Sequence, residues 1–126
     1  MSLRTPLGRV RGLGSAKEGT AHWWAQRLTA IALVPLVLWF AVSLIVLTGA
    51  DHATVAAWLR DPVAAVLMLL LILAGFHHAQ LGVQVVIEDY VHAEWLKLAL
   101  VTAVRFAAVA LGIGAAFSVL KIAIGG

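Results

Sequence analysis

The charged positions of this chain fall into clusters separated by long apolar runs. Residues 28 to 50 and 62 to 87 contain no Asp, Glu, Lys or Arg. As a helix rising about 1.5 Å per residue, each is long enough to cross roughly 30 Å of hydrocarbon. A third run, Leu98 to Ile124, is interrupted by Arg105, roughly two turns in, and by Lys121, close enough to the far end to snorkel. The pattern predicts an all-α membrane protein with three transmembrane helices, at about 26–48, 62–87 and 98–124. One three-helix hairpin has little interior of its own. Its buried polar residues are therefore expected to face partner helices or a cofactor, as part of a multi-subunit helical bundle.

The connections follow from turn and cap chemistry. Gly49-Ala50-Asp51-His52 breaks the first helix, and the stretch up to Arg60 reads as a short connection with apolar pieces, in which Trp58 serves as an interface anchor. Asp61-Pro62 supplies an N-cap followed by proline at the first helical position, which starts the second span. Glu88 to Lys97 reads as the returning loop. Residues 1–21, rich in Gly, Ser and Arg, form an expected basic arm, and residues 22–126 the three-helix anchor. An Arg-rich, acid-poor start also suits an organellar transit peptide; an uncleaved cytosolic arm is the expectation. The first span, with 23 uncharged residues, is too long for the apolar core of a signal peptide.

Composition agrees with this outline. Of 126 residues 63% are hydrophobic and 12% charged, which excludes a soluble domain with a water-facing surface. Arg4, Arg9, Arg11, Lys17 and Arg27 all precede or begin the first span. By the positive-inside rule the N-terminus is cytoplasmic and, after three crossings, the C-terminus periplasmic. The basic excess sits in that juxtamembrane arm, so no nucleic-acid partner is expected; membrane lipid is. With no cysteine, the chain has no disulfide and no thiolate metal or iron–sulfur site of its own. A small multidrug-type transporter would need a fourth span and an acid inside the membrane, and all six acids lie outside the apolar runs.

The second span carries the most informative residues. His78 lies deep in an apolar stretch, where an imidazole is costly. Asp89, eleven residues later, returns to within about 20° of it on a helix, some 16 Å further along. The same face holds Ala74, Gly75, Gly82 and Val85, and Gly82 leaves room beside the imidazole for a flat group such as a porphyrin. His77 points about 100° away, on a face with Leu70, Leu73, Leu81, Gln84 and Glu88 that suits ordinary packing. His78 is therefore the candidate ligand, against the plainer reading of a histidine that bonds a neighbouring helix.

Near the same boundary, Tyr90 fits the aromatic belt, and equally a phenol donating to a quinone carbonyl with Asp89 orienting it or passing a proton. Ala21-His22-Trp23-Trp24-Ala25-Gln26-Arg27 opens the first helix. Arg27 either snorkels to the headgroups or, with His22, holds an anionic group such as a haem propionate. Arg105, inside the third span, calls for a partner: a propionate, Asp89, or the membrane surface reached by snorkelling.

Gln26-Arg27-Leu28-Thr29-Ala30 at the opening of the first span, and His78 eleven residues before Asp89-Tyr90-Val91 at the close of the second, resemble the hydrophobic D-type anchor family of succinate dehydrogenase, respiratory complex II. The resemblance runs from about His22 to the end. It implies a bacterial inner-membrane anchor that is itself non-catalytic and oxidises no succinate. Its implied partners are a sibling cytochrome b anchor, an iron–sulfur subunit and a flavoprotein subunit that hold the iron–sulfur clusters and FAD. It further implies haem b between the two anchors, with His78 as one axial ligand and the sibling supplying the second, and ubiquinone as substrate at Tyr90 and Asp89. Arg27 falls at an arginine near the haem propionates. Arg105 and His77 match no family role. The alternatives are an anchor of a quinol:fumarate reductase and a haem-free structural tether. Which residue orients the free ring nitrogen of His78 is not readable from the sequence.

Overall fold

The structure, a computed structural model, describes residues 6–7 and 17–125. Four helices account for nearly all of it: α1 (Lys17–Val46), α2 (His52–Arg60), α3 (Pro62–Tyr90) and α4 (Glu94–Ala123). No strand occurs among the described residues. α1, α3 and α4 are each long and apolar enough to cross a membrane. The all-helical outcome follows from the solvent. In hydrocarbon every peptide group needs an internal partner, and a continuous helix provides it within one segment. Side chains obey the same rule: Ser43, in the last turn of α1, donates its hydroxyl to the Trp39 carbonyl at 2.8 Å.

The element ends depart from expectation in three places. α1 begins at Lys17, so the last residues assigned to the basic arm are helical. The connection after the first span contains a helix of its own, α2, whose N-cap Asp51 accepts from the Thr54 amide at 2.9 Å. Its Ala56 and Leu59, three residues apart, are buried against α3 and α4, and Trp58 stacks on Trp39 of α1 at 5.6 Å. The returning loop is only Val91 to Ala93, because α3 runs to Tyr90 and α4 starts at Glu94. Asp61-Pro62 behaves as expected, with the Asp61 carboxylate accepting from the Ala64 amide at 3.1 Å and Pro62 in the first turn. Gly49 adopts φ +81°, a left-handed conformation that costs a side-chain-bearing residue energy, in the turn that follows α1.

α3 is the central element. It packs on both α1 and α4, which have no Cα atoms within 8 Å of each other among the described residues. Its approach to α4 uses a small residue: a Cβ placed on Gly112 would lie 3.7 Å from the Phe76 ring. The interior is thin. Leu36, Leu81, Ile87 and Val119 are buried, but no side chain among the described residues is completely enclosed, and large apolar residues cover the outside of every span. A surface of that kind is stable against lipid or other apolar helices, and unstable against water.

Candidate functional site

Because α3 sits between α1 and α4, it divides the sequence's candidate residues into two groups. On the α1 side, Thr29 meets His78: the threonine Oγ1 lies 3.0 Å from Nδ1 of the imidazole. The same Oγ1 lies 2.7 Å from the Ala25 carbonyl and 3.1 Å from that of Gln26. A carbonyl only accepts, and two oxygens 2.7 Å apart without a hydrogen between them would repel. The single hydroxyl hydrogen therefore points at the helix backbone. That leaves the Oγ1 lone pair facing Nδ1, an arrangement suited to a ring that carries its hydrogen on Nδ1. In that tautomer the Nε2 lone pair is the one free for another partner. On the same helix, a Cβ on Gly75 or Gly82 would meet nothing within 4 Å.

The other group lies in the groove between α1 and α4. His22, His77, Gln84, Glu88 and Arg105 line a cavity of about 680 Å³ there. The Gln84 amide donates to Glu88 Oε1 at 2.9 Å and Gln80 reaches Gln84 Oε1 at 3.4 Å, a ladder along α3 at intervals of one helical turn. His22 Nε2 is enclosed and has no hydrogen-bond partner among the described residues. His78, Asp89 and Tyr90 do not line this cavity. The face that reads as ordinary packing in the sequence is thus half polar groove: Leu81 and Gln84 are buried, while His77 opens onto the cavity.

The remaining candidates stand apart. Arg105 forms no ion pair with Asp89, and the Lys97–Glu94 contact at 3.5 Å is the one ion pair found among the described residues. Arg27 lies over the Trp23 ring, 5.1 Å from its centre, and is exposed near the start of α1. Tyr90 ends α3 with 77% of its surface exposed, next to the exposed Asp89. Thr29 escaped the sequence reading altogether. Its signal was its place two residues after Arg27, in the segment that carried the resemblance, but nothing in that segment points to a residue 49 positions away.

Three apolar helices with short connections, apolar outer faces and a few polar groups concentrated toward one end define a multi-pass membrane protein whose polar face is built for something other than lipid. The chain belongs to the succinate dehydrogenase/fumarate reductase transmembrane subunit family, whose model matches residues 1–112. It is similar to the succinate dehydrogenase hydrophobic membrane anchor subunit of Rickettsia bellii, with 35% identity over 81% of this chain and 82% of the relative. The subunit of the same name from Paracoccus denitrificans is 32% identical over 81% of this chain and 79% of the relative. The succinate dehydrogenase membrane anchor subunit of Reclinomonas americana is 26% identical over 74% and 80%. No solved structure matches the chain.

Proposed function

We propose that this chain is the D-type hydrophobic anchor of a succinate:ubiquinone oxidoreductase in a bacterial inner membrane, contributing a haem b ligand and part of a ubiquinone-reducing site. The observation that carries the reading is the Thr29–His78 contact, on a helix where side chains at Gly75 and Gly82 would meet nothing within 4 Å, in a chain of this family. A metal-bound histidine presents one bare nitrogen and commonly donates from the other to a fixed acceptor, and Thr29 Oγ1 beside Nδ1 supports that arrangement for His78. The residues therefore fit a haem that His78 would hold together with a ligand from the sibling anchor. When bound, haem b would supply a one-electron redox centre.

The chain's own groups have separate tasks in this reading. His78 presents Nε2. Arg27 meets a propionate from the start of α1. Tyr90, exposed at the end of α3, donates its phenol hydrogen to a ubiquinone carbonyl, and Asp89 beside it orients the phenol or relays a proton. Flavin and iron–sulfur chemistry belongs to partner subunits that dock over the Tyr90 end, which is the cytoplasmic side if the basic residues before α1 set the orientation. His22 and Arg105, drawn into the His77 groove, are weaker candidates for a propionate than Arg27.

The test is a pyridine-haemochrome spectrum of the purified complex carrying His78→Ala or His77→Ala. His78→Ala is expected to remove or disturb the low-spin haem signal and His77→Ala to preserve it. The reverse pattern defeats the assignment, and absence of b-type haem from the wild-type complex leaves a structural tether. A reporter fused after Gly126 that is active only outside supports the orientation; cytoplasmic activity reverses it.

A further inference from the structure

We propose that Thr29 is the positioning residue of this site: its hydroxyl oxygen, locked as an acceptor by the α1 backbone, fixes the tautomer of His78 and strengthens it as a haem ligand. This rests on the reading of His78 as an axial ligand.

The argument runs from one hydrogen. With that hydrogen committed to the Ala25 carbonyl at 2.7 Å, the Thr29 oxygen is available to Nδ1–H at 3.0 Å. In the opposite tautomer two lone pairs would face each other across that contact, and the N–H would sit on Nε2, where a metal would bind. The bond also fixes the ring's rotation, because Thr29 is a β-branched residue in a helix whose side chain is further held by its own backbone contact. An acceptor on Nδ1–H pulls the hydrogen outward and makes Nε2 a better electron donor. His77, one residue earlier, has no side-chain hydrogen bond of this kind among the described residues, so only one member of the adjacent pair is prepared.

The side chain does little for α1 itself. A threonine bonding back to the carbonyl four residues earlier slightly destabilises a helix, so removing its hydroxyl should not harm the helix. The effect is expected at the imidazole. Loss of an outer hydrogen-bond partner of a metal-bound histidine typically costs 10- to 100-fold in metal affinity.

The experiment uses the purified complex with Thr29→Val, Thr29→Ala, Thr29→Ser and His78→Ala. Haem per complex, the low-spin electron paramagnetic resonance g-values and the haem midpoint potential are measured on each. Thr29→Val keeps the side-chain outline and removes the hydroxyl. It is expected to weaken haem retention by about 10- to 100-fold and to make the potential more positive, because a poorer donor stabilises ferric iron less. Thr29→Ala, also without a hydroxyl, is expected to move potential and g-values in the same direction and serves alone if the valine complex does not assemble. Thr29→Ser is expected to stay near wild type. Wild-type g-values and potential in the hydroxyl-free variants would overturn the proposal, as would equal damage from serine, which would make packing the cause. A wild-type haem spectrum in His78→Ala would instead overturn the ligand reading beneath it.

Discussion

Replacing Tyr90 with phenylalanine removes one hydroxyl from a side chain that is 77% exposed at the last turn of α3. The ring and its belt contacts stay, and a surface substitution of this kind changes stability by no more than about 0.5 kcal/mol. Any larger effect must come from what the phenol meets in the assembled complex. If it donates to a quinone carbonyl that gains negative charge on reduction, the lost bond is one that strengthens toward the transition state. The closest measured analogy, removal of one oxyanion donor, costs about 100- to 1000-fold; allowing for a more hydrated site, about 10- to 1000-fold is expected here, or roughly 1.4 to 4 kcal/mol. The assay measures two activities on one preparation: succinate oxidation with ubiquinone, and with an artificial acceptor that takes electrons directly from the peripheral subunits. Only the first should fall. Unchanged quinone reduction would return Tyr90 to the aromatic belt, and equal loss of both activities would trace the defect to assembly.

Two further outcomes test the packing and the caps. At Gly112 an alanine methyl would make ordinary contact with Phe76 at 3.7 Å, so Gly112→Ala should be tolerated, whereas Gly112→Leu should overpack the α3–α4 seam by about 1–3 kcal/mol; a leucine variant that melts in detergent at the same temperature as the alanine variant would contradict the seam. The side-chain and backbone hydrogen bonds of Thr54 hold the Asp51 carboxyl below its usual value of 3.8. A depressed carboxylate stabilises the fold above its unfolded pKa, and that contribution fades as the pH drops through the lowered folded value. Acidification into this range should therefore loosen α2 and weaken the Trp39–Trp58 exciton signal in near-ultraviolet circular dichroism; Asp51→Asn, which keeps an acceptor but cannot titrate, should lose that pH dependence, and identical acid profiles would rule the cap out as its cause.

The chemistry of the spans was legible because it is local. Runs without charge, an Asp-Pro start and the need to close every backbone hydrogen bond in lipid fix three long helices whatever they pack against. α2 was harder to see. Its signals were Asp51 as a cap and the apolar run Val55 to Leu59, which in so short a segment also describe an ordinary connection. The relative placement of His78 and Gly82 was readable because both lie on α3, where helical geometry sets their positions to within tens of degrees. The partner of His78 was not readable, since the apolar residues of α1 are spread around its whole circumference and its sequence does not say which side turns toward α3. That choice is made by how α1 and α3 pack, and it brings Thr29 to Nδ1 across 49 residues. The packing of α1 and of α4 on α3 sends His22 and Arg105 into the groove beside His77, away from Asp89. The sequence by itself determined which residues lie at which depth along each helix, through a fixed rise per residue. Their direction around the axis relative to other helices depends on contacts between distant segments, and only the tertiary structure decided it.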